Sequence, residues 1–177
     1  MNFNQFPTIT TDRLILRKIA LEDWEIISYL RSDAIVNQYV IRPDASTKEK
    51  SIAFITSILK KIDKSEMIYW CLNLKEDPGM IGSICLFNFS EDQKIGEVGY
   101  DLHPKAQKLG IMNEALEAIL TYGFDVLNLD LIKAYTQRNN TNSINMLKRN
   151  HFILNELEKD KANPLNWIFQ RNRSHLV

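Results

Sequence analysis

The segment RLILRKI (13–19) alternates between polar and apolar positions, which predicts a strand. Helical spacing then takes over. EDWEIISYLRS (22–32) predicts a helix with acids in its first turn, and STKEKSIAFITSILKK (46–61) predicts a second. The second opens on a Ser46/Glu49 capping pair and places Ile52, Ile55, Ile58, Leu59 and Ile62 on one face. Two apolar runs around Glu76-Asp77-Pro78-Gly79 predict a hairpin over 67–89, and KIGEVGYDL (94–102) adds a third strand to the meander. The run 111–127 predicts a helix whose inner side carries Met112, Leu116, Ile119, Leu120, Phe124 and Leu127. LIKAYTQ (131–137) predicts a strand, and 140–150 a short helix capped by Asn140. Strands over 152–159 and 166–171 complete the pattern.

The expected fold is therefore α/β, a mixed sheet with helices packed on it. The strand–helix–strand unit 94–137 reads as parallel, and ligands in such units favour the crevice beyond the carboxyl end of the first strand. HPKAQKLGIMNEAL (103–116) lies at that position. Its helix begins with no acid before Glu114, behind Lys105, Lys108 and Gly110. Uncovered first-turn amides, the helix dipole and a missing Cβ suit phosphate or pyrophosphate. The same segment also fits a plain loop with solvated lysines. There is no GxxxxGK[ST], and no GxGxxG after a first strand, which excludes a Walker-type NTPase and argues against a dinucleotide fold.

Composition narrows the classes further. A 177-residue chain that is 45% hydrophobic fits one domain over 1–177. Twenty-two basic residues balance 22 acidic ones, which gives no electrostatic case for nucleic-acid binding. The N-terminal stretch lacks a signal-peptide pattern and no run is long enough to cross a bilayer, so a cytoplasmic protein is the default expectation. Cys71 and Cys85 read as buried reduced thiols flanking a turn, with a cross-strand pair left open. His103, His151 and His175 are scattered, and nothing in their spacing points to a metal.

GEVGYDLHPKAQKLGIMNEAL followed by IKAYTQRNNTNSINMLKRNHF resembles the GNAT N-acetyltransferase superfamily, in particular its ribosomal-protein N-terminal acetyltransferase branch. TDRLILRKIALEDWE and GMIGSICL add to the likeness, which spans about residues 8–171. It implies the GNAT-like fold, acetyl-CoA as cosubstrate without a metal, and direct attack by a primary amine in a ternary complex. The family loop [Q/R]-x-x-G-x-[G/A] falls on Gln107, Lys108, Leu109, Gly110, Ile111 and Met112, whose amides would hold the pyrophosphate. Lys108 and Met112 depart from the family's small residues, and His151 stands where a Gly is common.

Each step of that reaction needs a residue. Glu97, an acid inside an apolar strand, is the candidate base, with Asp101 as its alternative. The resemblance implies that Ser143 lies near the CoA sulfur as general acid; Tyr100 and Tyr135 are weaker hydroxyl candidates. It also brings Asn140 to the pantetheine or diphosphate arm. Gly99, mid-strand, marks an expected bulge that would open a slot and free the amides of Val98, Tyr100 and Leu102 for pantetheine. Asn113 is expected to touch phosphate. Family position brings the acceptor to residues 22–45 and 155–167, with Arg42, Asp44, Trp24, Trp70 and Trp167 as possible pocket walls. A protein N-terminal amine, a polyamine, an amino acid and an aminoglycoside-like amine are the candidate acceptors. A catalytically silent CoA-binding sensor or scaffold is the alternative function. The branch also raises the expectation of a homodimer.

Overall fold

The computed structural model describes residues 5–173; His175 lies outside them. Eight strands form one sheet: β1 (Ile9–Thr10), β2 (Leu14–Lys18), β3 (Met67–Leu74), β4 (Met80–Phe87), β5 (Ile95–Leu102), β6 (Leu131–Gln137), β7 (Ile153–Leu154) and β8 (Asn166–Asn172). Their spatial order is β1-β2-β3-β4-β5-β6-β8-β7. Every neighbouring pair is antiparallel except β5–β6, the parallel unit expected from the strand–helix–strand pattern. Helices α1 (Trp24–Ser32) and α2 (Lys48–Asp63) cover one face, and α3 (Ile111–Thr121) and α4 (Thr141–Arg149) the other.

The central strand β3 shows why its sequence has no polar alternation. Ile68, Trp70 and Leu72 pack under α3, while Met67, Tyr69 and Cys71 pack under α1 and α2. A strand buried on both faces must be apolar on both. Trp70 is fully buried and its indole donates to the Pro7 carbonyl at 2.6 Å. It is therefore core rather than a pocket wall, whereas Trp167 is 41% exposed. Cys71 and Cys85 are both free. Cys71 faces Ser83 and Cys85 faces Tyr69, so the cross-strand pair does not form. Burial raises both thiols, Cys85 to about 12, so neither is a ready nucleophile.

Several elements differ from their sequence reading. The α2 cap is Thr47, whose hydroxyl accepts from the Lys50 amide, while Ser46 turns to Asp44 instead. Asp23, read only as one of the acids at the start of the first helix, is buried. Arg17 donates to both its oxygens at 2.8 and 2.6 Å; burial raises the carboxyl, but these bonds outweigh it and hold it below the usual range. The helix over 111–127 is α only to Thr121 and closes with a π turn, Tyr122–Val126. A Cβ at Gly123 would sit 2.8 Å from Ile132 Cδ1, so this helix end rests directly on β6. The strand expected over 152–159 shortens to Ile153–Leu154, because the Asn155 side chain accepts from the Leu157 and Glu158 amides and turns the chain.

Helix α4 ends in a left-handed residue. His151 has φ 60°, its amide reaches the Lys148 carbonyl, and the Phe152 amide reaches Leu147. These two bonds are the Schellman arrangement, in which glycine is preferred at the position His151 holds. The departure from the family pattern thus acts on the helix C-terminus. His151→Gly should relieve the left-handed strain and raise stability by about 0.5–1 kcal/mol, net of the freer unfolded chain. Thermal unfolding checks it: an unchanged or lower Tm would show that His151 has contacts worth more than the strain.

Candidate active site

Strand β5 carries the centre of the site. Its ladder to β4 is regular from Gly82↔Leu102 to Phe87↔Glu97, so the bulge expected at Gly99 is absent. The slot exists for another reason. The parallel ladder to β6 covers only Ile95–Val98 against Leu131–Ala134, while β6 continues to Gln137 against β8. Beyond Val98 the two strands part.

Backbone parity shows what lines the gap. The His103 amide donates to Ile81 on the β4 side, and the Lys94 carbonyl accepts from Asp130 and Leu131 on the β6 side. Successive residues alternate between edges. The even-numbered residues Val98, Tyr100 and Leu102 therefore turn their backbone groups toward β6; Tyr100 and Leu102 lie past the last ladder partner, whereas Val98, expected to be freed, still pairs with Ala134. Gln107 closes the far end by donating its side-chain amide to the Leu102 carbonyl at 3.0 Å, while its backbone amide donates to the Pro104 carbonyl at 3.2 Å and so, against expectation, is not free for a diphosphate.

The segment after β5 turns through Pro104–Ala106 and reaches α3 by two left-handed residues, Lys108 (φ 63°) and Gly110 (φ 75°). Gly110 is the N-cap and offers no side chain to the first turn. The Ile111 and Met112 side chains are buried in the core, so their backbone amides stand at the open helix end whatever those side chains are. Lys108 meanwhile takes the left-handed conformation that a glycine would take more cheaply. Three groups secure this end. Glu114 accepts from the Thr11 hydroxyl at 2.5 Å and from Arg13 N and Nε at 2.8 and 2.6 Å, and Arg13 Nη1 donates to the Leu109 carbonyl at 2.9 Å. No local pattern in the sequence signals these contacts, because Arg13 and Glu114 are 101 positions apart.

Helix α4 supplies the next wall. The Asn140 side-chain Oδ1 accepts from the Ser143 amide at 3.2 Å, which makes Asn140 the N-cap. The Ser143 hydroxyl is buried and lies 2.7 Å from the Tyr100 hydroxyl. Burial pushes the Tyr100 phenol up to about 12, although the Ser143 bond pulls the other way. Asn113, expected to face phosphate, instead donates to Glu117 and accepts from Asn150, both at 2.8 Å; its side chain ties α3 to the end of α4.

Glu97 is not beside Ser143. Odd residues of β5 face α1 and α2, even ones face α3 and α4, so the two candidates stand on opposite sides of the sheet at one gap. Glu97 is partly buried, and burial raises its carboxyl pKa. An Asn88 bond and Lys133 oppose that rise, while Asp160 and Glu158 add to it. Lys133 is committed to Glu158, with Nζ contacts of 2.8 and 2.6 Å. Tyr135, on the same side, is pushed up to about 12 by burial and these acids. Asp101, the alternative base, is engaged by Arg42 Nη1 at 2.8 Å and Ser83 Oγ at 2.7 Å. A cleft of about 600 Å³ lies on the β8 side and is lined by Glu158, Asp160, Pro164 and Trp167 among others. Among the described residues no His, Cys, Asp and Glu group has metal-site geometry, and no helix is long and apolar enough to cross a membrane.

A gap between parallel strands, running into a bare helix N-terminus, is a place for an extended ligand with a diphosphate. Residues 13–153 match the family model described as an acetyltransferase (GNAT) domain. The chain belongs to the GNAT acetyltransferase family. Membership makes it an N-acetyltransferase that takes its acetyl group from acetyl-CoA. The N-acetyltransferase p20 of Bacillus licheniformis is 34% identical over 164 residues, covering 88% of this chain and 89% of p20. The ribosomal-protein-S5-alanine acetyltransferase of Vibrio fischeri superposes with a TM-score of 0.81 at 18% identity, over 94% of this chain and 96% of that one. The microcin C7 self-immunity acetyltransferase MccE, solved with acetyl-CoA and AMP, has a TM-score of 0.80 at 16% identity, over 92% and 94% of the two chains. At these identities the two structures establish a shared GNAT fold.

Proposed function

We propose that this GNAT enzyme binds acetyl-CoA with its diphosphate on the amides at 108–113 and its pantetheine arm in the β5–β6 gap, and passes the acetyl group directly to a primary amine. The observation that carries this reading is the parting of β5 from β6 after Val98, next to the uncapped start of α3. The Tyr100 and Leu102 backbone groups would bond the pantetheine amides, and the α3 dipole would stabilise the diphosphate. The thioester would then sit where the gap opens to both faces, with Glu97 on one side and Ser143 with Tyr100 on the other. Attack at the carbonyl carbon forms the C–N bond, the C–S bond breaks, the amine proton leaves toward Glu97 and the thiolate takes a proton from Ser143.

A raised carboxyl pKa suits Glu97 to accept that proton, directly or through water. The acceptor would approach on the α1–α2 side, near the cleft that Glu158 and Asp160 line. The names of structural neighbours support a protein N-terminal amine as the first candidate to test, with small amines after it.

Calorimetric titration with CoA, acetyl-CoA and ATP tests the donor half. Micromolar binding of both CoA forms and none of ATP is expected. A screen of N-terminal peptides and small amines for free thiol tests the acceptor half. CoA binding without thiol release from any amine would mark a binding module rather than an enzyme.

Glu97→Gln should lower kcat about tenfold, since amines that are already neutral need no base. The sign of its pH dependence follows from the raised pKa. Only deprotonated Glu97 works, so activity in the wild type falls as pH drops through a value above the ordinary carboxylate range. The variant should lose that limb and keep the one set by the amine. Its stability should also stop declining as pH rises between the unfolded and folded pKa of this group, the window in which the folded state holds the extra proton. An identical pH–rate profile in wild type and variant would remove Glu97 from the mechanism.

A further inference from the structure

Arg13 lies outside the gap, in the turn between β1 and β2, yet three of its contacts meet at the start of α3. Its backbone amide and Nε hold the two oxygens of Glu114, and Nη1 holds the Leu109 carbonyl. Nη2 lies 3.4 Å from the position a Cβ would take on Gly110. One guanidinium thus spans the loop residue before the helix cap and the first acid after it.

Two physical consequences follow. The segment 108–110 contains two left-handed residues and no side-chain cap, so little within the loop fixes its geometry. The planar fork of an arginine fixes the Leu109 carbonyl, and with it the peptide planes on either side. Glu114 is the only acid in the first turn of α3. Burial raises its carboxyl, but Thr11 and Arg13 outweigh this and keep it ionised. Left to itself, that charge would stand one helical turn from an incoming diphosphate and repel it. Arg13 and Thr11 draw it toward the β1–β2 turn and neutralise it.

We propose that Arg13 is a positioning residue for the donor: through Leu109 and Glu114 it sets the loop that receives the diphosphate of acetyl-CoA. The proposal rests on the reading of 108–113 as the diphosphate cradle. The two are separated by a donor that lacks the diphosphate, S-acetyl-pantetheine.

The experiment compares kcat/KM for acetyl-CoA and for S-acetyl-pantetheine in wild type, Arg13→Ala and Arg13→Lys, with Kd for CoA and Tm alongside. Arg13→Ala should lose about tenfold or more in kcat/KM and Kd with the CoA donor, mostly through KM, because a misplaced donor loop costs that much. Its kcat/KM for S-acetyl-pantetheine should stay within about twofold of wild type. Arg13→Lys, which keeps the charge without the fork, should show the same split at smaller size and guards against an unfolded alanine variant. Unchanged CoA binding in Arg13→Ala, or equal losses with both donors, overturns the proposal. A wild type that uses both donors equally well overturns the diphosphate reading itself, and the role of Arg13 with it.

Discussion

Gly110→Val should weaken CoA binding by about a hundredfold or more, with a fall of only a few degrees in Tm. Gly110 has φ +75°, a region that a β-branched residue all but never occupies. Space is not the obstacle, since the nearest heavy atom to an added Cβ is Arg13 Nη2 at an ordinary 3.4 Å. The valine would leave the left-handed region and rotate the adjoining peptides. That movement pulls the Leu109 carbonyl off Arg13 and turns the first α3 amides away from their common focus. Gly110→Asn is the control. Asparagine tolerates the left-handed conformation at modest cost, so binding should stay within about tenfold of wild type. Calorimetry on both variants decides: if Val binds CoA as well as Asn does, the cradle does not depend on the Gly110 backbone.

That test works because Gly110 was readable from local sequence alone, as was much of the fold. Strand β6 occupies 131–137 as LIKAYTQ predicts, and Asn140 caps α4 as its side chain suits it to do. Such features are decided within a few residues. Others depend on competition between neighbours. Ser46 and Thr47 are both good caps, and Asp44 captures the Ser46 hydroxyl, which leaves α2 to Thr47. FILNELEK continues a strand-like rhythm through 152–159, but Asn155 spends its side chain on a turn. The gap shows a third kind of difference. Tyr100 and Leu102 lie past the ladder as read, but Val98 stays paired with Ala134, and the cause is not a Gly99 bulge but the end of a ladder with β6, a pairing between distant segments. The Tyr100–Ser143 and Arg13–Glu114 contacts join residues 43 and 101 positions apart, and no periodicity encodes such distances.

The Tyr100–Ser143 contact carries the other large effect. Ser143→Ala should lower kcat about a hundredfold while changing KM for acetyl-CoA little, the pattern expected when a transition-state proton donor is lost. A thiolate leaving group resembles a cysteine thiolate, with a thiol pKa of about 8.5, so at neutral pH it departs more easily with a proton. Under the proposed mechanism Ser143, on α4, donates that proton, and Tyr100, whose hydroxyl lies 2.7 Å from it, would resupply it. Tyr100, raised to about 12, stays a neutral phenol at working pH and remains the stronger acid of the two. The pair should behave as a unit. Tyr100→Phe should cost nearly as much as Ser143→Ala, and the double variant little more than either. Stability falls in the single variants by about 1–2 kcal/mol where one buried hydroxyl is left unpartnered, and recovers in part in the double. The deciding measurement is the leaving group. An aryl thioester, whose thiol is more acidic, needs less protonation, so the Ser143→Ala penalty should shrink with it. A penalty of the same size for both donors would mean that Ser143 positions the substrate and transfers no proton.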